Sequence, residues 1–220
     1  MIQSRFSRQV AFPDAVKLLR RAGVIVYPTE TFLAVGCDAA SEEAVARIYQ
    51  VKRRAATKPL PLVAPDRGMV ARYADLSAAP EPLLACWPGP LTLVLPARGL
   101  RVVPALLDTE GKVAVRVTPH PAAQALGLAI DSLLTASSAN MQAHRPARVV
   151  AELEEDLARA VDGILDMDPE PSGGLPSTIV EPLENGTVRV WREGAIPLTS
   201  IAAMGLALAP LPEPARRRRD

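Results

Sequence analysis

Segments with the apolar spacing of helices alternate with short β-branched segments along most of this chain, and this alternation restricts the fold more than any other feature. Residues 24–27, Val-Ile-Val-Tyr, have the character of a buried strand. Further along, Ala44, Val45 and Ile48 recur on one helical face behind Ser41, a candidate N-cap. We therefore predict an α/β fold in which helices flank a twisted mixed sheet.

Near the C-terminus the alternation gives way to a hairpin, because Asn185-Gly186 is a strong turn signal between two strand-like segments. No internal repeat and no polar linker divides the chain, so a single domain over residues 1–205 is expected. The predicted helices cover residues 12–22, the segment after Ser41, and residues 149–160; the predicted strands cover residues 24–27, 32–37, 60–64, 91–96, 112–118, 133–136, 163–167, 177–180 and 187–191.

Residues 206–220 form a Pro/Arg-rich segment that we expect to be a disordered tail. Four consecutive arginines at residues 216–219 produce the small net charge of +1, whereas residues 1–215 carry 21 basic and 23 acidic residues. A dedicated nucleic-acid binder usually has a basic body, so the charge speaks against that class. Two alternatives remain for the arginines: they are only solvated, or they make a weak contact with RNA.

The composition, 49% hydrophobic and 22% charged, is that of a folded enzyme of ordinary size. No apolar run approaches the roughly 18 residues of a membrane span, and the N-terminal residues lack the apolar core of a signal peptide. Cys37 and Cys86 lie far apart and match no metal-ligand spacing. We expect a cytoplasmic protein without a membrane partner.

Common catalytic motifs are missing from the sequence: it has no GxxxxGK[ST] phosphate loop, no GxSxG nucleophile elbow and no HExxH. Its two histidines, His120 and His144, each have a proline close by and no evident partner, so a turn or surface position is the simpler reading. Hydrolase triads and zinc enzymes are therefore disfavoured.

Polar and cationic side chains stand at the ends of several predicted apolar segments, where they can leave a buried scaffold and face a cleft. In the strand at residues 112–118, alternation puts Val113 and Val115 on one face and Arg116 on the other, where it requires an anion. Singly, each residue could be a turn, a helix end or an ion pair. Together they predict a large cationic cleft. The others are Thr29, Thr31, Lys52, Arg54, Ser137, Ser138, Asn140, Ser177 and Thr178.

Seven sequence pieces occur in a fixed order between residues 20 and 196: VIVYPTET, KRR with KPL, WPGPLTLVLP, VAVRVTPHP, SSAN, PSTIV and REGAI. Each piece is weakly specific, but the ordered set closely resembles the YrdC-like family. Members of that family make threonylcarbamoyl-adenylate from L-threonine, bicarbonate and ATP. The lysine-x-arginine and serine-x-asparagine signature of the family is matched by Lys52-x-Arg54 and Ser138-x-Asn140.

The resemblance implies a YrdC-like domain and a set of site residues. It suggests that Thr31, Arg116 and Ser177 bind threonine, and that Lys52 and Arg54 are catalytic. It also implies a downstream enzyme that transfers the threonylcarbamoyl group to tRNA, and Mg²⁺ as cofactor with ATP, although the sequence points to no metal ligands. The residues implied for nucleotide binding are Lys52, Arg54, Ser138, Asn140 and Arg192.

Three departures from the family pattern leave alternatives open. Residues 32–36 read Phe-Leu-Ala-Val-Gly where relatives have a sequence similar to YGLG, Gln142-Ala143 replace a common Ser-Gly, and Ala55 replaces a proline. The chain could therefore be a paralogue that acts on another amino acid or carbamoyl substrate. A non-catalytic RNA-binding or ribosome-binding protein is the alternative from another class.

Overall fold

The computed structural model describes residues 8–53, 59–99, 102–141 and 144–209. It confirms the α/β class: helices flank strands that form mixed sheets, two in number where the sequence predicts one. The strands are β1 Ile25–Pro28, β2 Leu33–Gly36, β3 Leu62–Ala64, β4 Leu91–Pro96, β5 Lys112–Val117, β6 Leu134–Thr135, β7 Ser137–Ser138, β8 Gly163–Ile164, β9 Thr178–Pro182, β10 Thr187–Arg192 and β11 Ala207–Ala209.

The helices are short, and the longest within the described ranges have ten residues each. None of the helices in this part of the chain is long and apolar enough to cross a lipid bilayer. The helices are α1 Phe12–Arg20, α2 Glu42–Val51, α3 Arg67–Ala71, α4 Glu81–Leu84, α5 Pro121–Ile130, α6 Glu155–Ala160 and α7 Leu198–Ala202, with 3-10 turns at Leu76–Ala78, Pro104–Leu106 and Val150–Glu152.

The larger sheet has seven strands in the order β11-β10-β9-β4-β5-β3-β6. Its centre is the antiparallel pair β4 and β5, in which Leu93 lies opposite Val115. Both side chains are fully buried, as the apolar runs of these two strands predict. Because Val113, Val115 and Val117 face this core, Arg116 projects from the opposite face of β5.

The smaller sheet has the order β7-β2-β1-β8, and β1 and β2 pair antiparallel with Val26 opposite Val35. Only residues 29–32, Thr-Glu-Thr-Phe, separate these two strands, so this segment makes a tight turn and β2 returns beside β1. This local pairing divides the predicted single sheet into two. The Tyr27 hydroxyl joins the two sheets by donating to the Thr135 carbonyl at 2.9 Å.

Two local signals in the sequence are confirmed. Ser41 caps α2, its hydroxyl accepting from the Ala44 N–H at 3.2 Å. Strands β9 and β10 form the hairpin expected around Asn185-Gly186, with Gly186 at a φ of 78°. A positive φ of this kind carries little steric cost for glycine, which explains the turn signal.

The helix predicted at residues 149–160 is wrong in its first half. Val150–Glu152 form a 3-10 turn, Leu153 and Glu154 have extended backbones, and α6 begins only at Glu155. Leu153 is buried, and the Glu154 side chain bonds to the neighbouring loop. Helix α5 was not predicted, because its sequence PAAQALGLAI is apolar on all sides and has no clear amphipathic period.

Strand β11 lies within the segment for which the sequence predicts a disordered tail. It pairs parallel with β10, and Ala207 and Ala209 lie opposite Thr187 and Arg189. The ordered domain therefore extends beyond the predicted boundary at residue 205, at least to Ala209. The rest of the predicted tail, residues 210–220, lies outside the described residues.

Candidate active site

A pocket of about 290 Å³ lies where the two sheets meet. The turn after β1 and strands β2 and β7 form one side, while β5, β9 and β10 of the larger sheet form the other. Clefts of this kind, mostly apolar with a few polar groups, are typical ligand sites. Its walls are formed by Thr29, Thr31, Phe32, Leu33, Ala34, Pro59, Pro61, Ala114, Arg116, Ala136, Ser137, Ser138, Pro146, Pro176, Ser177, Ile179 and Arg192.

Arg116 is the buried cation of this pocket, with 5% of its surface exposed. Its Nε donates to Oε1 of Glu30 at 2.7 Å, so the anion expected for a mid-strand arginine is supplied by the turn after β1. Within the described residues, its two terminal nitrogens donate to no protein acceptor. Since every fully buried side-chain nitrogen in these residues has a partner, the two terminal nitrogens are not fully buried. These nitrogens therefore keep access to the pocket and can bind a carboxylate.

The turn carrying Thr29, Glu30 and Thr31 is fixed by its own hydrogen bonds and by a loop from the far end of the chain. The Thr29 hydroxyl donates to the Phe32 carbonyl at 2.7 Å. The Thr31 carbonyl accepts from the Gly173 N–H at 2.8 Å. Thr31 is buried and lines the pocket.

Ser177 and Arg192 contact each other on the opposite wall. Arg192 donates from Nη2 to the Ser177 carbonyl at 2.8 Å and to its hydroxyl at 3.2 Å. The Ser177 hydroxyl also accepts from the Thr92 hydroxyl at 2.9 Å. The family resemblance implies different substrates for these residues, threonine for Ser177 and the nucleotide for Arg192, and the structure brings the two residues together.

The two halves of the signature, Lys52 and the segment Ser138 to Asn140, also meet. The Lys52 ammonium donates to the Ser138 carbonyl at 2.6 Å and to both oxygens of Asn140. The Ser138 hydroxyl donates to Asn140 Oδ1 at 2.7 Å. Ser138 lines the pocket, whereas Lys52 and Asn140 are not among its lining residues. Arg54 lies outside the described residues.

Glu154 supports this signature loop at Met141, the residue after Asn140, and sequence reasoning missed it. Its carboxylate accepts from the Met141 N–H at 2.7 Å and contacts His144 Nδ1 at 2.7 Å. The hydrogen bond from Met141 is the main cause that lowers the pKa of Glu154 below its ordinary value. His144 and Lys52 lower this pKa further, whereas partial burial of the carboxylate raises it. No sequence pattern indicates this role, because the contact depends on tertiary structure.

Neither His120 nor the cysteines offer catalytic chemistry. His120 caps α5: its Nδ1 accepts from the Ala122 N–H, and its Nε2 lies 2.7 Å from the Pro169 carbonyl. Burial raises the pKa of the Cys37 thiol to about 12, and burial also raises the pKa of Cys86. Neither thiol is therefore activated as a nucleophile.

Sequence patterns did not predict most of the apolar residues in the pocket wall. Ala114 could have been found, because it alternates onto the same face of β5 as Arg116. Ala136 directly precedes the Ser-Ser-Ala-Asn segment, which was another available signal. Pro59, Pro61, Pro146 and Ile179 reach the pocket only through tertiary packing, so no local pattern identifies them.

Taken together, the fold and pocket define an α/β protein in which two arginines line a pocket between two mixed sheets. The family model Sua5_yciO_yrdC, described as "Telomere recombination", matches residues 17–194. This chain belongs to the Sua5/YciO/YrdC family, which confirms the resemblance found in the sequence.

Relatives named threonylcarbamoyl-AMP synthase align with most of the chain. One from Idiomarina loihiensis is 39% identical over 183 residues, which cover 80% of this chain and 94% of that protein. Another from Halorhodospira halophila is 44% identical over 161 residues, covering 71% of this chain and 81% of the relative.

Solved structures of the family have the same fold. Sua5 from P. abyssi, in a crystal structure complexed with L-threonine, superposes with a TM-score of 0.79 at 29% identity, over 90% of this chain and 58% of that chain. This chain thus spans less than two thirds of that Sua5 chain. E. coli YciO superposes with a TM-score of 0.71 at 26% identity, over 86% of this chain and 93% of its own.

Proposed function

We propose that this chain is a threonylcarbamoyl-AMP synthase. It forms L-threonylcarbamoyladenylate and pyrophosphate from L-threonine, bicarbonate and ATP, for the threonylcarbamoyl-adenosine modification of tRNA. The relatives with this name, which match most of the chain, support the proposal. The structural observation that carries it is Arg116, whose terminal nitrogens face a small pocket while its Nε is held by Glu30.

The threonine side of the site consists of Arg116, Thr31 and Ser177. The amino-acid carboxylate would accept from the two terminal nitrogens of Arg116, which present a planar pair of donors. The hydroxyls of Thr31 and Ser177 lie in the same pocket and can orient the polar groups of the substrate. The bound L-threonine of P. abyssi Sua5, in a structure of the same fold, supports this assignment.

The nucleotide side consists of the signature residues and Arg192. Ser138 and Arg192 reach the pocket wall directly, and Lys52 and Asn140 hold the loop that carries Ser138. We assign Arg54 to the phosphates from its place in the signature, three residues after Val51, where α2 ends. Several cations around one cleft suit a triphosphate, whose charge increases at the α-phosphate during the reaction.

The chemistry that these residues would support has two steps. The amine nitrogen of threonine bonds to the carbon of bicarbonate, water leaves, and a carbamate forms. A carbamate oxygen then attacks the α-phosphorus of ATP, the bond from that phosphorus to the bridging oxygen breaks, and pyrophosphate leaves. Such steps depend mainly on positioning and charge neutralisation, in keeping with a pocket of hydroxyls and arginines.

Magnesium enters this proposal as part of the substrate. Within the described ranges, no three His, Cys, Asp or Glu side chains lie close enough to form a metal centre. Mg²⁺ is commonly held by one or two carboxylates together with substrate phosphates, so we propose that it arrives on ATP.

Further partners follow from the product. A threonylcarbamoyl-adenylate is a reactive mixed anhydride, so we propose a downstream tRNA threonylcarbamoyl-transfer enzyme that accepts it, and the cytoplasm as the location of both. A weak RNA contact through residues 216–219 remains a proposal. Its test is RNA binding measured against salt concentration, where a charge-driven contact weakens steeply.

The proposal is tested by pyrophosphate release from ATP with magnesium and bicarbonate, comparing L-threonine, L-serine and no amino acid. Threonine-dependent release is expected, and Arg116→Ala should lose about 10- to 100-fold in its efficiency with threonine, as expected when a charge-assisted hydrogen bond is lost. Arg189→Ala is the matched control, because Arg189 also pairs with a buried glutamate but lies outside the pocket. Pyrophosphate release at the same rate with and without an amino acid would refute the proposal.

The amino-acid panel also tests a second candidate, a paralogue for another amino acid. The segment that departs from the family pattern contributes Phe32, Leu33 and Ala34 to the pocket wall. A different shape at this wall would change which side chain fits. Release that depends on a residue other than threonine would favour this candidate.

A further inference from the structure

Glu30 and Arg116 form an ion pair inside the pocket wall, with only 11% and 6% of their side chains exposed. A pair buried to this degree has little net value for stability, because removing both charges from water costs about as much as their attraction returns.

Glu30 is held from two sides. Its second carboxylate oxygen accepts from the Thr118 hydroxyl at 2.7 Å, while its first accepts from Arg116 Nε. Its main-chain carbonyl accepts from the N–H of Ser172 at 3.1 Å and from the hydroxyl of the same residue at 2.8 Å. The carboxylate of Glu30 is thus held by residues at the end of β5, and its backbone is held by Ser172.

This arrangement divides the donors of Arg116 between two tasks. Glu30 engages the Nε edge of the guanidinium, which fixes the rotation of its plane. The terminal nitrogens at the other edge donate to no acceptor within the described residues. A guanidinium already fixed in its plane loses less conformational entropy when it binds a carboxylate in a bidentate manner.

We propose that Glu30 is a positioning residue: it orients Arg116 so that the terminal nitrogens of the guanidinium receive the carboxylate of the amino-acid substrate. This role rests on the proposed function, because it requires an amino acid in the pocket. Glu30 acts through position and not through its charge, since a negative charge by itself would repel the carboxylate of the substrate.

The chain offers a matched control in Glu181. Lys112 and Arg116 lie on the same face of β5, and each pairs with a buried carboxylate, Lys112 with Glu181 at 2.6 Å. Glu181 has 1% of its surface exposed and lies outside the pocket lining. Its removal should cost stability without changing the binding of threonine.

The experiment measures KM for threonine and KM for ATP by pyrophosphate release, using the full chain and the variants Glu30→Gln, Glu30→Asp and Glu181→Ala. The Gln side chain keeps the length, so its amide oxygen can accept from Arg116 Nε and its amide nitrogen can donate to Thr118. The Asp side chain keeps the charge but is one methylene too short. Thermal unfolding of each variant separates loss of fold from loss of binding.

We expect the threonine KM of Glu30→Gln to stay within about threefold of the wild-type value. The threonine KM of Glu30→Asp should rise by about tenfold or more, because a charge-assisted contact is lost. The ATP KM should not change in either variant. The reverse order, with Asp normal and Gln impaired, would overturn the inference. Equal changes in the KM for threonine and the KM for ATP would also overturn it, and so would a changed threonine KM in Glu181→Ala. A wild-type chain without threonine-dependent release overturns the proposed function, and this inference falls with it.

Discussion

The Nζ atom of Lys52 lies 3.2 Å from Oδ1 of Asn140, although 88 positions separate the two residues in sequence. The same ammonium lies 2.6 Å from the Ser138 carbonyl. The lysine of one signature motif thus holds the loop of the other. Residues that look like two separate binding motifs in the sequence form one unit in the structure.

Replacing Lys52 with alanine should reduce turnover by about 100-fold or more, because the loop loses a charged donor that contacts three of its oxygens. Lys52→Arg should not restore activity, since a planar guanidinium cannot meet three converging oxygens as an ammonium does. Steady-state pyrophosphate release measures both variants. Lys17→Ala, at an exposed lysine paired with Asp14, is the control, and normal activity in Lys52→Ala would contradict the assignment.

The lowered pKa of Glu154 predicts that the signature loop becomes less stable at acid pH. Because this pKa is lowered in the fold, the ionised carboxylate stabilises the loop fully above the ordinary value of 4.5, and the stabilisation is lost as pH falls through the lower, folded value. Glu154→Gln should therefore unfold at a lower temperature than wild type at pH 7, and the gap should narrow below about pH 4.5. A gap that stays constant down to pH 3 would contradict this role.

Gly194 should tolerate no side chain. A Cβ atom at this position would lie 2.1 Å from the Pro176 carbonyl oxygen and 2.8 Å from the Ser177 backbone, so Gly194→Ala must displace Ser177, the acceptor of Arg192. We expect a loss of roughly 1–3 kcal/mol in the free energy of unfolding and weaker pyrophosphate release. Gly68→Ala is the control, because its Cβ would meet only the side chain of Asp66, at 3.1 Å. Equal unfolding midpoints for the two variants would disprove the prediction.

Tyr27→Phe tests the connection between the two sheets. The Tyr27 side chain is fully buried, which raises the pKa of its hydroxyl, and the hydroxyl remains a donor to the Thr135 carbonyl. Its removal should cost about 1–2 kcal/mol of unfolding free energy in a chemical denaturation experiment. The KM values should not change, because Tyr27 is absent from the pocket lining. A large change in KM with normal stability would mean that the hydroxyl acts on the site.

Local signals predicted much of the fold. Ser41, the Asn185-Gly186 turn and the alternation in β5 each depend on neighbours in sequence, and all three hold in the structure. What the sequence could not predict depends on distant residues. The two sheets separate because β1 pairs with β2, and the break before α6 follows from a bond between Glu154 and Met141.

The site was predictable to a similar degree. A mid-strand arginine requires an anion, and Arg116 does pair with a carboxylate in the folded chain. Its partner Glu30 lies 86 positions away, and only the folded chain shows that the anion is internal. The apolar wall has no chemical signature, so packing alone reveals residues such as Ile179 and Pro61.

Strand β11 has a consequence for the solution behaviour of the protein. It is only three residues long, yet it covers the outer edge of β10, a six-residue strand that ends at Arg192. A chain shortened to residue 205 would leave the N–H and C=O groups of β10 open to pairing with another molecule, and uncovered edges of this kind promote aggregation. The segment that the sequence predicts to be disordered thus supplies a strand that covers part of this edge.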